Sequence, residues 1–537
     1  MRNEPSFPRP YRRSPDQDGA RAARHPVVIA GGGPVGLALA ADLGTRGVPC
    51  VLVDGKAEIG EGSRGLCYAK RTLEILDRLG VAAPAVAKGV TWQLGKVFHR
   101  ERLLYEFNLL PEGGHKMPAF VNLQQYYLEQ YLYERCLELP DVDLRYQHRL
   151  VGVEPHGDGV RVRLDTSDGP YELEAAWLVA CDGSRSAVRR LMGLSFEGRA
   201  FEDRFLIADV RTLADYPAER WFWFDPPFNP GQSALLHKQP DDVWRIDLQL
   251  GPDADPAVER EPERVRARLR AMLGDRPFEF VWVSVYTFQC RRLERFVHGP
   301  VLFAGDAAHL VSPFGARGFN GGVQDTDNLA WKLAAVVEGR APAALLATYG
   351  TEREAAADEN ILNSSRSTDF ITPKSPASRL VRDAALSLAG EAPFARALVN
   401  SGRLSTPAVY AGTPLSTPDA DPFGGTARLG GPAPDAPLRR ADGPGTWLLD
   451  ELDRRGFTLV HCGEGPPPQD VPDGVRVLNV GRDLLDAEGL FRERYDAAPG
   501  SAYLVRPDQH LCARFRDPEP AAVAAAVDRA LGRGLPS

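Results

Sequence analysis

From Pro26 to Asp54 the chain reads as an apolar strand, Val27-Val28-Ile29-Ala30, then a turn, Gly31-Gly32-Gly33-Pro34-Val35-Gly36. An Ala/Leu-rich helix follows to about Thr45, and then a second strand, Cys50-Val51-Leu52-Val53-Asp54. Two short apolar strands joined through a helix form a βαβ opening, which calls for a parallel sheet and an α/β fold. The turn satisfies G-x-G-x-x-G in the context that gives the pattern meaning. Gly31 permits the tight turn, Gly33 lets a pyrophosphate approach the backbone, and Gly36 lets the helix pack close to the strand. Pro34 and Val35 open the helix, whose N-terminus offers free N–H groups and a positive dipole to phosphates. Asp54 ends the second strand, where a carboxylate accepts hydrogen bonds from a ribose diol. The unit predicts a bound dinucleotide and does not by itself separate FAD from NAD.

A chain of 537 residues exceeds one hydrophobic core, and its 43% hydrophobic content supplies several, so two to four domains are expected. The formal charge of -8 argues against nucleic-acid binding, which rests on clustered Lys and Arg. The seven cysteines are scattered and form no C-x-x-C pair. Neither a metal site nor a disulfide framework is expected, and a reducing, cytoplasmic setting fits. Residues 1–25 carry six arginines among Pro, Ser and Asp without an apolar stretch, and read as a disordered tail rather than a signal peptide. No apolar run approaches the roughly 18 residues of a membrane span, so no membrane partner is expected.

Further along, helical spacing covers Lys70 to Leu79 and Gln124 to Leu139, and short alternating segments cover Val160 to Leu164 and Tyr171 to Ala180. From about Phe205 to Phe288 several strands, with one charged helix near Glu261 to Met272, predict a mostly antiparallel sheet. A strand at Pro300 to Ala304 leads into a Gly-rich loop and a helix from about Gly322 to Glu338. Two more helices are expected near Leu345 to Ser364 and Ser378 to Asn400. Residues 404–445, dense in Pro, Gly, Ala and Asp, read as a linker, and 446–537 as a smaller α/β unit.

Two later segments bear on the dinucleotide. Leu178-Val179-Ala180-Cys181-Asp182-Gly183-Ser184-Arg185-Ser186 resembles the Asp-Gly motif of flavoprotein monooxygenases. Gly305-Asp306-Ala307-Ala308-His309, continuing through Pro313, Gly315, Gly318, Asn320, Asp325, Asn328, Leu329, Trp331 and Lys332, resembles their Gly-Asp motif. Arg64 and Gln125-Tyr126-Tyr127-Leu128-Glu129 also match family positions. With the first turn, the chain resembles the class A FAD-dependent aromatic hydroxylases. Tyr503-Leu504-Val505-Arg506-Pro507-Asp508 is similar to the C-terminal thioredoxin-like domain of the phenol 2-monooxygenase and 3-(3-hydroxyphenyl)propionate hydroxylase branch, here without a redox cysteine pair. A structural or oligomerisation role is expected for that domain, and a homodimer is one assembly consistent with it.

The resemblance implies a Rossmann-like FAD-binding domain in two parts, 26–197 and 300–403, with an inserted β-sheet substrate domain at 198–299 and a thioredoxin-like domain at the end. It implies that Asp54 serves the adenosine ribose and that Arg64 and Gln125 lie along the pyrophosphate and ribityl chain. Asp306, after Gly305, contacts the ribityl part, and Asp182 sits at a motif linked to FAD and NAD(P)H. The backbone from Pro313 through Gly318, Phe319 and Asn320 approaches the isoalloxazine ring. The implied reaction takes NADPH or NADH as transient co-substrate and O2 as oxidant, and hydroxylates a phenolic or polycyclic aromatic substrate through a flavin C4a-hydroperoxide, with no metal.

Candidate substrate residues lie on the middle strands, where alternation puts Trp221 and Trp223 on one face and Arg245 and Asp247 on one face. Tryptophans in a sheet also serve as core. His237 is a candidate for phenol deprotonation, because an unperturbed imidazole titrates near neutrality, and Pro313 for lining the hydroxylation site. Ala316 and Arg317 depart from the family pattern. Arg317 either faces the flavin edge or turns to an acidic neighbour. The motifs leave open an FAD-dependent epoxidase, a Baeyer–Villiger monooxygenase or a reductase. A halogenase fits less well, since Asp225 replaces Ile in the W-x-W-x-I-P-like run at Trp221. A flavin-containing scaffold remains a reading from another class.

Overall fold

In the computed structural model, which describes residues 5–535 except 20, 60–64, 214–215, 252, 400–403, 467 and 469, strand Ala23–Ala30 runs through the middle of an eight-stranded sheet. Cys50–Asp54 and Tyr171–Ala180 pair with it in parallel on either side, and Val142–Tyr146 and Val301–Phe303 extend the parallel core. Val27, Val28 and Ile29 are fully buried. Helices cover the sheet, so its strands read as continuous apolar runs instead of alternating ones. The helix Pro34–Arg46 packs against Gln125–Leu137 and Gly318–Val337.

The second eight-stranded sheet is antiparallel apart from one pair. Its order is His309–Leu310, Glu279–Arg292, Glu197–Arg211, Val243–Gln249, Ser233–Lys238, Arg220–Phe224, Leu94–His99 and Arg102–Asn108. The last two strands come from within the segment expected to belong wholly to the dinucleotide-binding half, and Leu94–His99 joins Arg220–Phe224 in parallel. The helix Pro262–Leu273 buries Val265, Leu269 and Leu273 against one face. That leaves the other face to the first domain.

Residues 5–19 and 21–25 correct the expectation of a disordered tail, of which residues 1–4 and 20 lie outside the described residues. Phe7 meets Tyr126 and Tyr127, and the buried Arg9 lays its guanidinium 3.7 Å from the Tyr133 ring centre and donates to Gln130. Ser14 caps a short 3-10 turn, Pro15–Asp18. Polar composition hid this, because arginines pack through their stems and stack on aromatic rings.

The expected linker is likewise a packed strap. Leu415, Ala427, Ala433 and Ala436 are buried, and Arg353 donates to the Tyr410 hydroxyl. Pro and Gly prevent regular structure there without preventing burial. The C-terminal sheet starts at Pro437–Arg440, earlier than expected, and centres on the parallel pair Phe457–Cys462 and Val475–Val480 with Ala502–Val505 and Leu511–Phe515 antiparallel beside it. Two buried polar clusters join this unit to the rest. Arg506 donates to both oxygens of Glu352 and pairs with Asp508, and Lys332 also donates to Glu352. Arg71 bridges Asp327, Gln509 and the Asp508 carbonyl. Among the described residues every cysteine is free, no group of side chains is arranged to hold a metal, and no helix is long and apolar enough to cross a membrane.

Candidate active site

The glycine turn is built as its pattern requires. Gly31 has φ +111°, and a Cβ on Gly36 would lie 2.0 Å from the Gly31 carbonyl oxygen. A Cβ on Gly33 would meet nothing within 4 Å, so this position opens outward where the other two are packed. Gly33 is the N-cap of Pro34–Arg46 and no side chain caps that helix. The donors of its first turn are therefore available to an anion. Asp54 accepts from the N–H groups of Gly32 and Lys56, one on each oxygen, which fixes it at the turn's edge with lone pairs remaining for hydroxyl donors.

Gln125 accepts from the Gly65 N–H and donates to Glu129. Burial raises the Glu129 carboxyl above its usual range. Arg64 lies outside the described residues. Asp182 accepts from Ala187 and Val188 N–H through one oxygen, capping the short helix Ala187–Leu191, while its other oxygen is buried without a hydrogen-bond partner. Gly305 donates to Asp325, which also receives Arg353 and lies 2.7 Å from His309 Nε2. This anchors the Gly-Asp turn and leaves the Asp306 side chain exposed at its surface.

The loop that follows carries Pro313 exposed, closes a turn from Ala316 N–H to the Pro313 carbonyl, and feeds into Gly318–Val337. Asn320 accepts from Ala69 N–H and donates to the Cys67 and Ala316 carbonyls, tying the loop to strand Cys67–Ala69. A Cβ on Gly318 would lie 3.8 Å from the Val311 side chain, an ordinary contact, and Phe319 packs edge-on to Tyr68. Arg317 is buried and donates to Asn360 on the helix Leu345–Ile371. Arg317 is expected either to face the flavin edge or to turn to an acidic neighbour; the hydrogen bond it makes on that helix goes instead to the amide of Asn360.

The middle sheet separates the candidate substrate residues. Register sets Asp209, Arg245, His237 and Arg220 in one row, and Ile207, Asp247, Leu235 and Phe222 in the next row of the same face. Trp221 and Trp223 fall on the opposite face, where Trp223 stacks on Phe98 at 5.2 Å and both join the core under Pro262–Leu273. This corrects the expectation that the tryptophans meet substrate: they are core. The polar face looks toward the first domain, since Cys67 Sγ lies 3.9 Å from His237 Nδ1. Burial, with Arg220 and Arg245 nearby, holds His237 well below its ordinary range. Burial pushes Asp247 up to about 6 against the pull of Arg245. Arg245 is clamped by both oxygens of Asp209 at 2.8 Å. Sequence reasoning missed Arg220 and Cys67. Alternation in Arg220-Trp221-Phe222-Trp223 shows that two faces exist but does not say which one the first domain covers.

Known proteins resolve what this arrangement belongs to. Residues 24–364 match the model of the FAD binding domain, and residues 426–534 that of the aromatic-ring hydroxylase C-terminal domain. The chain belongs to the FAD-dependent aromatic-ring hydroxylases. It is 32% identical over 512 residues to a 12-dehydrotetracycline 5-monooxygenase/anhydrotetracycline 6-monooxygenase of Streptomyces rimosus, covering 91% of this chain and 95% of that one. It is 31% identical over 474 residues to a 3-(3-hydroxy-phenyl)propionate/3-hydroxycinnamic acid hydroxylase of a Mycobacterium species, covering 88% of this chain and 79% of that one. The flavin-dependent monooxygenase PieE, solved with FAD and substrate, superposes with a TM-score of 0.82 at 25% identity, covering 96% of this chain and 100% of that one. This hydroxylase is thus an FAD-dependent monooxygenase with a Rossmann-like FAD-binding domain, an inserted sheet and a C-terminal α/β domain. The residues present fit FAD, with an outward-opening Gly33, an uncapped helix N-terminus and an anchored Asp54 at one end.

Proposed function

We propose that this hydroxylase takes electrons from NADH or NADPH and, with O2, places one oxygen atom on an electron-rich phenolic or polycyclic ring, releasing the other as water. Bound FAD supplies the redox chemistry, accepting hydride and activating oxygen. The Gly31–Gly36 turn with Pro34 and Val35 holds the pyrophosphate, and Asp54 the adenosine ribose. Gln125, Gly305 and Asp306 line the ribityl chain, and Asp182, whose backbone lies against Gly31, keeps one buried oxygen without a hydrogen-bond partner. Pro313 and Gly318 to Asn320 border the ring end, where the Asn320 bonds to strand Cys67–Ala69 hold the loop still.

The substrate lies between this loop and the polar face of the middle sheet. The observation that carries the assignment is the approach of Cys67 to His237, which brings the strand tied to Asn320 against that face. His237 serves as a neutral hydrogen-bonding group, because its burial and two neighbouring arginines oppose the imidazolium. It positions a ring hydroxyl and does not store its proton. The names of the relatives, which act on tetracycline intermediates and on hydroxyphenylpropionate, favour hydroxylation over epoxidation, Baeyer–Villiger insertion or reduction. We read the C-terminal unit as a thioredoxin-like domain without a redox pair, in keeping with its two cysteines, Cys462 and Cys512, which are both buried and free.

The test is a screen of phenols and fused-ring phenolics under 18O2, with NAD(P)H oxidation and product mass read together. The expected result is substrate-stimulated oxidation with one labelled atom in the product. A protein that gains no FAD, or a yellow one that labels no phenol, overturns the reading.

A further inference from the structure

The strand Cys50–Asp54 runs straight into an exposed loop at residues 55–58. Such a loop is a poor anchor for a carboxylate that must hold a ribose, because whatever freedom it keeps has to be lost when the cofactor binds. Residues 7–9 remove that freedom. Arg9 N–H donates to the Ala57 carbonyl at 2.7 Å, Ile59 N–H donates to the Phe7 carbonyl, and Pro8 bridges Glu58, so a short antiparallel pair lies along the loop. These residues stand ahead of residue 24, where the match to the FAD binding domain begins.

The same segment secures a second border of that end. His148 N–H donates to the Asp54 carbonyl and Gln147 N–H to the Lys56 carbonyl, which sets residues 147 and 148 beside Asp54. The Gln147 amide donates in turn to the Arg9 carbonyl. Tyr11 stacks on the buried His148 at 5.1 Å, and His148 Nε2 donates to the Arg12 carbonyl. Asp16 pairs with the buried Arg145 at 2.6 Å.

The Arg9 side chain reaches a third border. Its guanidinium lies 3.7 Å from the Tyr133 ring centre and 5.6 Å from that of Tyr146, and donates to Gln130 at 3.0 Å. Gln130 and Tyr133 belong to the helix Gln125–Leu137, and the Tyr146 hydroxyl donates to the Gly32 carbonyl inside the glycine turn at 3.0 Å. One cation, 2% exposed, thus ties the turn, the helix and the loop after Asp54. A guanidinium held between aromatic rings away from water contributes more than an exposed ion pair does.

We propose that residues 7–18 form a strap that governs retention of FAD, with Arg9 as its latch. Arg9 is a positioning residue: it acts on the glycine turn through Tyr146 and on Asp54 through the backbone at 57–59. The strap keeps the adenosine end of the site in its binding shape before the cofactor arrives and slows the cofactor's departure. This rests on the reading that the Gly31–Gly36 turn and Asp54 hold the adenosine diphosphate half of FAD.

The experiment uses the full chain, stripped of FAD and titrated with FAD, and compares melting temperatures of the apo and loaded forms. The variants are Arg9→Met, Arg9→Lys and Tyr11→Ala, with Arg24→Gln as the control, since its pair with Asp158 is exposed on both sides. Loss of the latch predicts about 5- to 30-fold weaker FAD binding in Arg9→Met, carried by faster dissociation. Arg9→Lys and Tyr11→Ala lose less, and Arg24→Gln loses nothing. A residue that serves only general stability lowers both melts alike, whereas a latch also shrinks the increment that FAD adds.

The proposal is overturned if the folded strap variants bind FAD as tightly as wild type and their apo and loaded melts fall together. If Arg9→Met yields no folded apoprotein, Arg9→Lys and Tyr11→Ala decide by the same comparison. Asp54→Ala separates the two readings. At wild-type affinity it overturns the placement of the adenosine, and the proposal with it. Weakened binding in Asp54→Ala beside unchanged strap variants overturns the proposal alone.

Discussion

Glu352 is 1% exposed and receives five hydrogen bonds, two from Arg506 and one each from Lys332, Asn328 and Thr413. Burial alone would raise its carboxyl, but Arg506 and Lys332 together hold it well below the usual carboxylate range. Glu352→Gln preserves shape and an amide that still bonds Asn328 or Thr413, yet leaves two buried cations, Lys332 and Arg506, facing Asp508 alone. Removing one partner of a buried pair costs about 3–5 kcal/mol. At about 2–4 °C per kcal/mol for a cooperative unit of this scale, the transition involving the C-terminal unit should fall by roughly 6–20 °C. The control is Arg149→Gln, whose pair with Asp165 is exposed on both sides and is worth at most about 1 kcal/mol.

The sign of the pH dependence follows from the depressed folded pKa. The Glu352 contribution is fully present above the unfolded value, near 4.5, and is lost as pH falls below it. Thermal melts from pH 7 down to pH 2, followed by circular dichroism and by release of flavin fluorescence, should show the gap between wild type and Glu352→Gln constant above about pH 4.5 and closing below it. If Glu352→Gln melts within about 1 °C of Arg149→Gln at pH 7, the cluster does not weld the two units and the reasoning fails.

Gly36→Ala should prevent a stable FAD-binding domain, because its Cβ would sit 2.0 Å from a carbonyl oxygen. Gly33→Ala should fold as wild type but bind FAD at least about tenfold more weakly, as titration of the apoprotein will show. Asp247 has its pKa raised to about 6 from 3.8, so the folded state binds the extra proton and stability is lost as pH rises through that window. Asp247→Asn should therefore gain about 1–3 kcal/mol at pH 7 in urea unfolding, and no gain at pH 4. Trp223→Ala should cost about 3–5 kcal/mol in stability with an unchanged KM in the enzyme that survives. Phe222→Ala should do the reverse, shifting KM with a smaller loss of stability, and equal effects on KM would contradict the assignment of the two faces.

Strands and helices of the first domain were legible because burial on both faces writes itself as apolar runs, and Gly31 to Gly36 punctuates them. The long helix Gly318–Val337 was expected from about Gly322, since Gly318 to Gly321 look like loop. Its first turn forms because Asn320 finds partners at Cys67, Ala69 and Ala316 that lie far off in sequence or across a turn. Such long-range partners are invisible to local pattern. The same holds for the ordered N-terminus, where Arg9 needs Tyr133 to be a packing residue, and for the strap at Leu415 to Ala436. On the middle sheet alternation gave two faces correctly, but Trp221 and Trp223 drew attention by size, while the face turned to the first domain is marked by the smaller signal of Arg220, His237 and Asp247.

The helix Gly318–Val337 also explains why a hydroxylase should carry a C-terminal unit remote from the oxidised carbon. The helix is buried on nearly every side although it holds Asn320, Gln324, Asp325, Asp327, Asn328 and Lys332, so each of these must be met by a partner. The first domain meets Asn320 and Asp325. The strap donates to Gln324 through Ala408 N–H. Asp327 is held by Arg71, which is itself fixed by Gln509 and the Asp508 carbonyl, and Lys332 shares Glu352 with Arg506. The C-terminal unit thus fixes the distal half of the same helix whose first residues are proposed to border the reacting ring. A site built on an element pinned along its whole length holds its geometry better than one on a loop. The run Tyr503 to Asp508 that resembles the family's terminal domain is, in physical terms, the part that grips that helix.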